Sequence, residues 1–117
     1  MVRIRFSDTA RIDHAAAVLS IRNYFDTIFS PALGEKHVDA FMSEFKEKIQ
    51  ELKAHPMKYR VRDDGLFRCS ATKFRSFAVH WFTVFYTYEN DEVWILFIRS
   101  SISDYSNIAY MDQSRQE

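Results

Sequence analysis

The chain has 117 residues, 47% of them hydrophobic and 27% charged, and its 16 Lys and Arg balance 16 Asp and Glu. We expect one globular domain over residues 1–117, because a chain of this length can build one core but hardly two. With only 2 Gly and 2 Pro, the many tight turns of an all-β fold are disfavoured. The lone Cys69 excludes an intramolecular disulfide and a cysteine zinc cluster. No signal sequence or membrane-length apolar run stands out, which favours a cytoplasmic location.

The first half of the chain predicts a strand followed by a helical hairpin. Residues 2–6 alternate apolar and polar, which is typical of a strand. Residues 7–9 offer N-cap side chains for a first helix that extends to about Phe29. Residues 30–34 predict a chain reversal, because Pro31 cannot continue a hydrogen-bonded turn and Gly34 can take positive φ. A second helix is expected from about Glu35 to Ala54.

The second half predicts strands and turns. Residues 59–62 alternate, residues 63–65 supply a turn, and residues 66–74 predict another strand or an extension in which Cys69 is buried. Residues 77–88 predict a long central strand because both alternating faces are apolar. An acidic hairpin turn at 89–92 leads into an apolar strand at 93–98. The expected class is α+β: an N-terminal strand, an α-helical hairpin, then a three-stranded antiparallel sheet.

Three stretches resemble the RelE/ParE superfamily of toxins from bacterial type II toxin–antitoxin systems. Residues 49–56 match the family pattern I-x-x-L-x-x-x-P, residues 82–96 match its aromatic strand, acidic turn and I-L strand, and Asp104-Tyr105 matches its closing D-[WY]. The resemblance implies helices packed on one face of a small sheet. It also implies a growth-arresting toxin that a cognate antitoxin neutralises. RelE-like members cut mRNA on the ribosome, whereas ParE-like members inhibit DNA gyrase, and both targets stay open at this point.

A metal-independent ribonuclease would need Lys, Arg, His or Tyr side chains to move protons and stabilise a phosphorane. The candidate catalytic residues are Lys73, Arg75, His80, Arg99 and Tyr105. Residues 100–103 read Ser-Ser-Ile-Ser, where RelE-like nucleases usually carry a basic or His-containing run, and this departure disfavours cleavage. A ParE-like protein would not be an enzyme. No cofactor is expected under either interpretation.

The segment 58–75 holds six basic residues against two acidic ones, a net charge of +4 in a neutral chain. Such a surface could meet nucleic-acid phosphates or an acidic antitoxin. The candidate target-binding residues are Lys58, Arg60, Arg62 and Arg68. The four histidines lack the spacing of metal ligands, so no metal is expected. The competing hypothesis is a non-catalytic protein-interaction module, or an inactive toxin relative with the same fold.

Overall fold

A helical hairpin covers one face of a four-stranded sheet in the computed structural model, which describes residues 2–101. The elements in chain order are β1 (Arg3–Phe6), α1 (Asp8–Ile28), α2 (Pro31–Ala54), a 3-10 helix (Gly65–Cys69), β2 (Arg75–Val79), β3 (Phe82–Glu89) and β4 (Glu92–Ser100). The strand order is β1-β4-β3-β2, with β1 parallel to β4 and the other neighbours antiparallel. The predicted α+β class is therefore confirmed. No helix within residues 2–101 has both the length and the apolar character to cross a membrane.

The main core lies between the helical hairpin and the sheet. Ile21 of α1, Phe41 of α2, Tyr86 of β3 and Ile95 of β4 are completely buried there. A second, smaller cluster lies on the opposite face of the sheet. It consists of Phe67, Phe74, Phe85 and Phe97. Both faces of the central strands are thus covered, which explains why β3 and β4 are apolar on both sides.

Ser7 joins the start of α1 to the sheet. Its side chain accepts a hydrogen bond from the Ala10 N–H at 2.9 Å, and its hydroxyl donates to the Leu96 carbonyl oxygen at 2.8 Å. The N-cap position expected from the sequence is confirmed. The same residue directly follows β1, so one short side chain fixes the junction of strand and helix to β4.

The second helix begins earlier than the sequence indicates. Ser30 is the N-cap and Pro31 occupies the first turn of α2. Proline is tolerated there because N–H groups in the first turn have no acceptor within the helix. Gly34 lies inside this helix and is not a left-handed turn residue, so the expectation of positive φ was wrong. A Cβ at Gly34 would lie 3.4 Å from the Phe25 Cβ. That is an ordinary contact distance, so the packing of the two helices leaves room for a Cβ at this position.

The predicted long strand at 77–88 is in fact a hairpin. β2 and β3 are joined by His80 and Trp81, and His80 adopts a left-handed conformation with a φ of 53°. The hairpin predicted at 89–92 is confirmed: Asn90 and Asp91 have φ values of 53° and 60°. Two consecutive left-handed residues match the twist of the flanking strands.

The strands predicted at 59–62 and 66–74 were wrong. The first of these stretches is extended but outside the sheet, where the Arg62 N–H donates to the Phe74 carbonyl at 2.7 Å. The second contains the 3-10 helix, in which Cys69 is exposed and not buried. The physical reason is that Phe67 and Phe74 anchor this stretch on the sheet by packing against Phe85 and Phe97, without strand pairing.

Candidate functional site

The candidate catalytic residues do not converge on one point. Arg75 begins β2 and His80 follows its last residue, so about five strand residues, or ~17 Å, separate them. Arg99 lies near the end of β4, opposite Thr83 of β3. Lys73 is exposed ahead of β2. Tyr105 lies outside the described residues, as does the closing motif at 104–105.

Arg75 lies where the end of α2 meets the sheet. Its guanidinium donates a hydrogen bond to the Tyr59 carbonyl, and it faces Tyr86 across the β2–β3 pair. The Tyr86 hydroxyl donates to the Pro56 carbonyl at 3.1 Å, and burial raises the pKa of Tyr86 to about 12. This tyrosine stays neutral near pH 7 and cannot act there as a general base. The pair therefore holds the chain that follows α2 against the sheet.

His80 connects the β2–β3 turn to α2. Its backbone N–H donates to a Glu44 carboxylate oxygen at 3.3 Å, and its Nδ1 lies 3.4 Å from the same oxygen. The ring meets Phe41 edge to face and contacts Trp81. Glu44 thus satisfies the backbone of a turn whose left-handed residue needs external support. His80 faces the helices and not the solvent-facing side of the sheet.

Arg99 forms an ion pair with Asp13 of α1. The same Asp13 oxygen accepts the Ile98 N–H at 3.0 Å, at a point on β4 beyond the end of β1. The Arg99 guanidinium also lies 5.4 Å from the centre of the Phe97 ring. Asp13 therefore supplies the acceptor that a neighbouring strand would otherwise give to the Ile98 N–H.

Two of the six basic side chains in residues 58–75 pair with a carboxylate, and a third, that of Arg75, is held by the Tyr59 carbonyl. Lys58 pairs with Glu51 at 3.0 Å, and this hydrogen bond lowers the pKa of the Glu51 carboxyl. Arg62 binds the Asp64 carboxylate through two nitrogens, at 2.7 and 3.1 Å, which lowers the pKa of Asp64. The Arg62 guanidinium also lies 5.0 Å from the centre of the Phe67 ring. Arg62 is thus a structural residue that fixes the 3-10 helix to the sheet.

The remaining positive charge lies on Arg60, Arg68 and Lys73, and these three exposed residues are called the basic edge below. Arg68 donates to the Asp63 backbone carbonyl at 3.0 Å, which leaves its charge unneutralised. Within residues 2–101, neither Arg60 nor Lys73 forms an ion pair. The basic edge lies on the β2 side of the molecule, and it is the part of the predicted binding segment that remains available to a partner.

A groove between β1 and the C-terminal half of α2 was not anticipated from the sequence. It has a volume of about 830 Å³, and its apolar wall includes Val2, Ile4, Phe6 and Ile49. Three basic residues also line it, Arg3, Arg5 and Lys53. Arg5 is already paired with Glu92 of β4, at 3.1 Å. The alternating strand and the helical stripe were both visible in the sequence. Their adjacency is a tertiary property, so neither pattern alone could reveal this β1 groove.

A metal site finds no support in the described part of the chain. No three His, Cys, Asp or Glu side chains within residues 2–101 are grouped closely enough to hold an ion. His14 of α1 is half-buried against the Phe41 and Phe45 rings, and burial lowers its pKa. These contacts are those of a packing residue and not of a metal ligand.

Comparisons with known proteins agree with this architecture. The family model of the ParE toxin of type II toxin–antitoxin systems, parDE, matches residues 5–105. A solved structure described as the chromosomal ParDE TA system from P. aeruginosa is similar, with a TM-score of 0.57 and 17% sequence identity. The match covers 86% of this chain and 96% of that one. No curated protein matches the sequence.

Proposed function

The chain belongs to the ParE toxin family of type II toxin–antitoxin systems, and we propose that it arrests bacterial growth by inhibiting DNA gyrase. The observation that carries the choice of target is the dispersal of the candidate catalytic groups. Arg75, His80 and Arg99 each bind a different part of the protein's own framework. Phosphodiester cleavage needs an acid, a base and a charge-stabilising group within reach of one phosphate. An inhibitor that works by binding needs no such convergence.

The basic edge is the proposed contact with the gyrase–DNA complex. Arg60, Arg68 and Lys73 are exposed on one side of a chain whose net charge is zero. A local cluster on a neutral protein favours one defined docking site over general binding to nucleic acid. Because this contact is electrostatic, we expect inhibition to weaken as the salt concentration rises.

The cellular test separates the two possible targets. The chain is expressed from a tightly repressed promoter, and DNA synthesis and protein synthesis are pulse-labelled separately after induction. We expect DNA synthesis to fall first and the cells to filament. A prompt fall in protein synthesis with intact DNA synthesis would instead identify the ribosome as the target. Normal growth would favour the interaction module or an inactive relative.

The biochemical test uses purified gyrase and relaxed plasmid. We expect the purified chain to inhibit supercoiling, and the double variant Arg60→Glu/Lys73→Glu to need at least ten times more protein for half inhibition. The matched control is Lys36→Glu/Lys46→Glu, which makes the same charge change on exposed positions of α2. Equal loss in both variants would indicate a general charge effect and would remove the basic edge from the proposed contact.

The cognate antitoxin is the second partner, and we place it in the β1 groove. The Arg3 N–H donates to the Asp91 carbonyl in the turn before β4, and the Ser7 N–H donates to the Ile95 carbonyl of β4, both at 2.9 Å. By the alternation of a strand, the Ile4 and Phe6 N–H groups point away from β4, toward the open edge. An extended antitoxin segment can pair with this edge as a fifth strand. Apolar side chains on that segment would match the groove's wall, and acidic ones would match Arg3 and Lys53.

Hydrogen exchange tests this placement. We expect antitoxin binding to slow exchange of the Ile4 and Phe6 amides, because strand alternation turns them away from β4. Arg3→Glu/Lys53→Glu should weaken antitoxin affinity by at least tenfold, whereas Lys36→Glu/Lys46→Glu should leave it unchanged. Protection confined to other elements, with both variants binding normally, would place the antitoxin elsewhere.

A further inference from the structure

The β1 groove continues, at its Phe6 end, into a pocket between β1 and the two helices. This pocket has a volume of about 320 Å³ and is called the His14 pocket below. Its lining comes from three elements: Phe6 of β1, Ala10, Arg11 and His14 of α1, and Phe45 of α2. Phe6 also lines the groove, and Phe45 lies four residues before the groove residue Ile49 on α2. Residues four apart lie on one helix face, so the groove and the pocket share a continuous wall.

Three rings form the wall of the His14 pocket. The Phe6 and Phe45 rings are stacked with centroids 6.3 Å apart, and the His14 ring meets Phe45 edge to face at 5.0 Å. Phe45 is buried, whereas Phe6 and His14 are half-buried and open to the pocket. Burial lowers the pKa of His14, so its ring is largely neutral at pH 7. The volume is at the lower end of ligand pockets, which suits one large apolar side chain better than a whole ligand.

Arg11 adds a positive charge to the otherwise apolar lining of the pocket. Its side chain is exposed, and it forms no ion pair with any residue from 2 to 101, including Asp8 one turn earlier on α1. Asp13, on the same helix, is already bound by Arg99. The five lining residues include no acidic one. The unneutralised guanidinium therefore favours a carboxylate beside the apolar side chain that fills the pocket.

We propose that the His14 pocket is the anchor site of the antitoxin segment that binds in the β1 groove. A leucine or phenylalanine side chain of that segment fills the pocket, and an acidic residue next to it pairs with Arg11. This inference rests on the proposed placement of the antitoxin along β1. A segment that adds to the open edge of β1 and runs past Phe6 reaches the pocket along the shared wall. An enclosed apolar anchor of this kind is where binding energy concentrates in an interface.

NMR spectroscopy of the isotope-labelled chain tests the pocket with capped dipeptides. The probe is acetyl-Leu-Glu-amide at up to about 10 mM, because one anchor residue binds in the millimolar range. We expect it to shift the amide signals of Phe6, Ala10, Arg11 and His14. Acetyl-Ala-Glu-amide should bind about tenfold more weakly, because most of the buried side chain is removed. Acetyl-Leu-Gln-amide should bind about threefold more weakly, because the exposed ion pair is lost. No shift at these four residues, or undiminished binding of either control peptide, would overturn the proposal.

Binding of the cognate antitoxin to variants of the chain is the second test. Arg11→Glu should weaken antitoxin affinity by about tenfold, because an attractive contact becomes a repulsive one. Arg11→Lys keeps the charge and should retain most of the affinity. Lys36→Glu makes the same charge change at an exposed position of α2 and should have no effect. If Arg3→Glu/Lys53→Glu weakens binding but Arg11→Glu does not, the groove placement holds and the anchor proposal fails. If neither variant weakens binding, both proposals fail.

Discussion

Asp13 offers the most direct test of how this fold is held together. Its carboxylate accepts the Ile98 N–H at 3.0 Å and forms the ion pair with Arg99, although it lies more than 80 residues away in the chain. Asp13→Ala removes both interactions at once. The Ile98 N–H then loses its acceptor at the edge of β4, and Arg99 loses its acidic partner.

The magnitude follows from the exposure of the pair. A hydrogen bond to a charged group contributes roughly 1.5–3 kcal/mol, and breaking a fully buried ion pair costs about 3–5 kcal/mol. The Arg99 and Asp13 side chains are 25% and 17% exposed, so solvent reduces the second effect. We expect Asp13→Ala to lower the free energy of unfolding by about 2–3 kcal/mol. Asp13→Asn keeps an acceptor for the N–H and should cost about half as much.

Urea unfolding of a double-mutant cycle measures this. The cycle combines Asp13→Ala with Arg99→Met, which keeps an unbranched side chain over Phe97, and we expect a coupling energy of about 1 kcal/mol or more. Asp26→Ala, an exposed aspartate on the same helix, is the control and should change stability by less than about 0.5 kcal/mol. A loss from Asp13→Ala no larger than the control's, or a coupling energy near zero, would refute the reasoning.

Three further predictions concern titration and backbone conformation. Burial raises the pKa of Tyr86 to about 12 in the folded protein, against about 10 in the unfolded chain. The free energy of unfolding should therefore fall by up to ~2.7 kcal/mol as the pH rises from 10 to 12. Urea titrations at pH 8 and 11 should show the start of this fall, and Tyr86→Phe should lack it. Burial lowers the pKa of His14, so protonation favours the unfolded chain and stability should fall as the pH drops below about 6.5. In thermal melts, the melting temperature of His14→Phe should fall less with pH than that of the unsubstituted protein. The control His55→Gln, at an exposed position, should follow the unsubstituted protein. Gly34→Ala should stabilise the protein by up to ~1 kcal/mol, because alanine favours the helix and its Cβ meets Phe25 at an ordinary contact distance. Gly65→Ala should destabilise it by about 1 kcal/mol, because Gly65 has a φ of 54°. Melting temperatures that move in the same direction for both variants would contradict this.

The elements that could be predicted from sequence are those with local signals. The helical stripe of α2, the Ser7 cap and the Asn90-Asp91 turn each depend on neighbours within a few residues. The β2–β3 turn could not be predicted from the sequence, because His80-Trp81 carries none of the usual turn residues and lies in a largely apolar run. Its left-handed residue is supported by Glu44, which is 36 residues earlier in the chain. Local patterns cannot report such support.

The candidate site was less predictable for the same reason. Residue type identified which side chains can do acid–base or phosphate chemistry, but only the fold shows which of them are already engaged. Arg62 is bound by Asp64 two residues later and also by Ser76 on β2, whereas Arg60 forms no ion pair with any residue from 2 to 101. The alternation that made these two arginines equivalent in sequence is absent from the structure, because this stretch is not a strand of the sheet.

The positions of the two proposed partner surfaces constrain how neutralisation can work. The β1 groove and the basic edge lie at opposite edges of the sheet, about three strand spacings or ~14 Å apart. An antitoxin strand confined to the groove would therefore leave Arg60 and Lys73 open to gyrase. The groove ends at Ala54, and a second hollow of about 520 Å³ continues from Ala54 past exposed Met57 to Lys58. We expect a neutralising antitoxin to follow this path around the end of α2, because only a segment that reaches the basic edge can compete directly for the proposed contact.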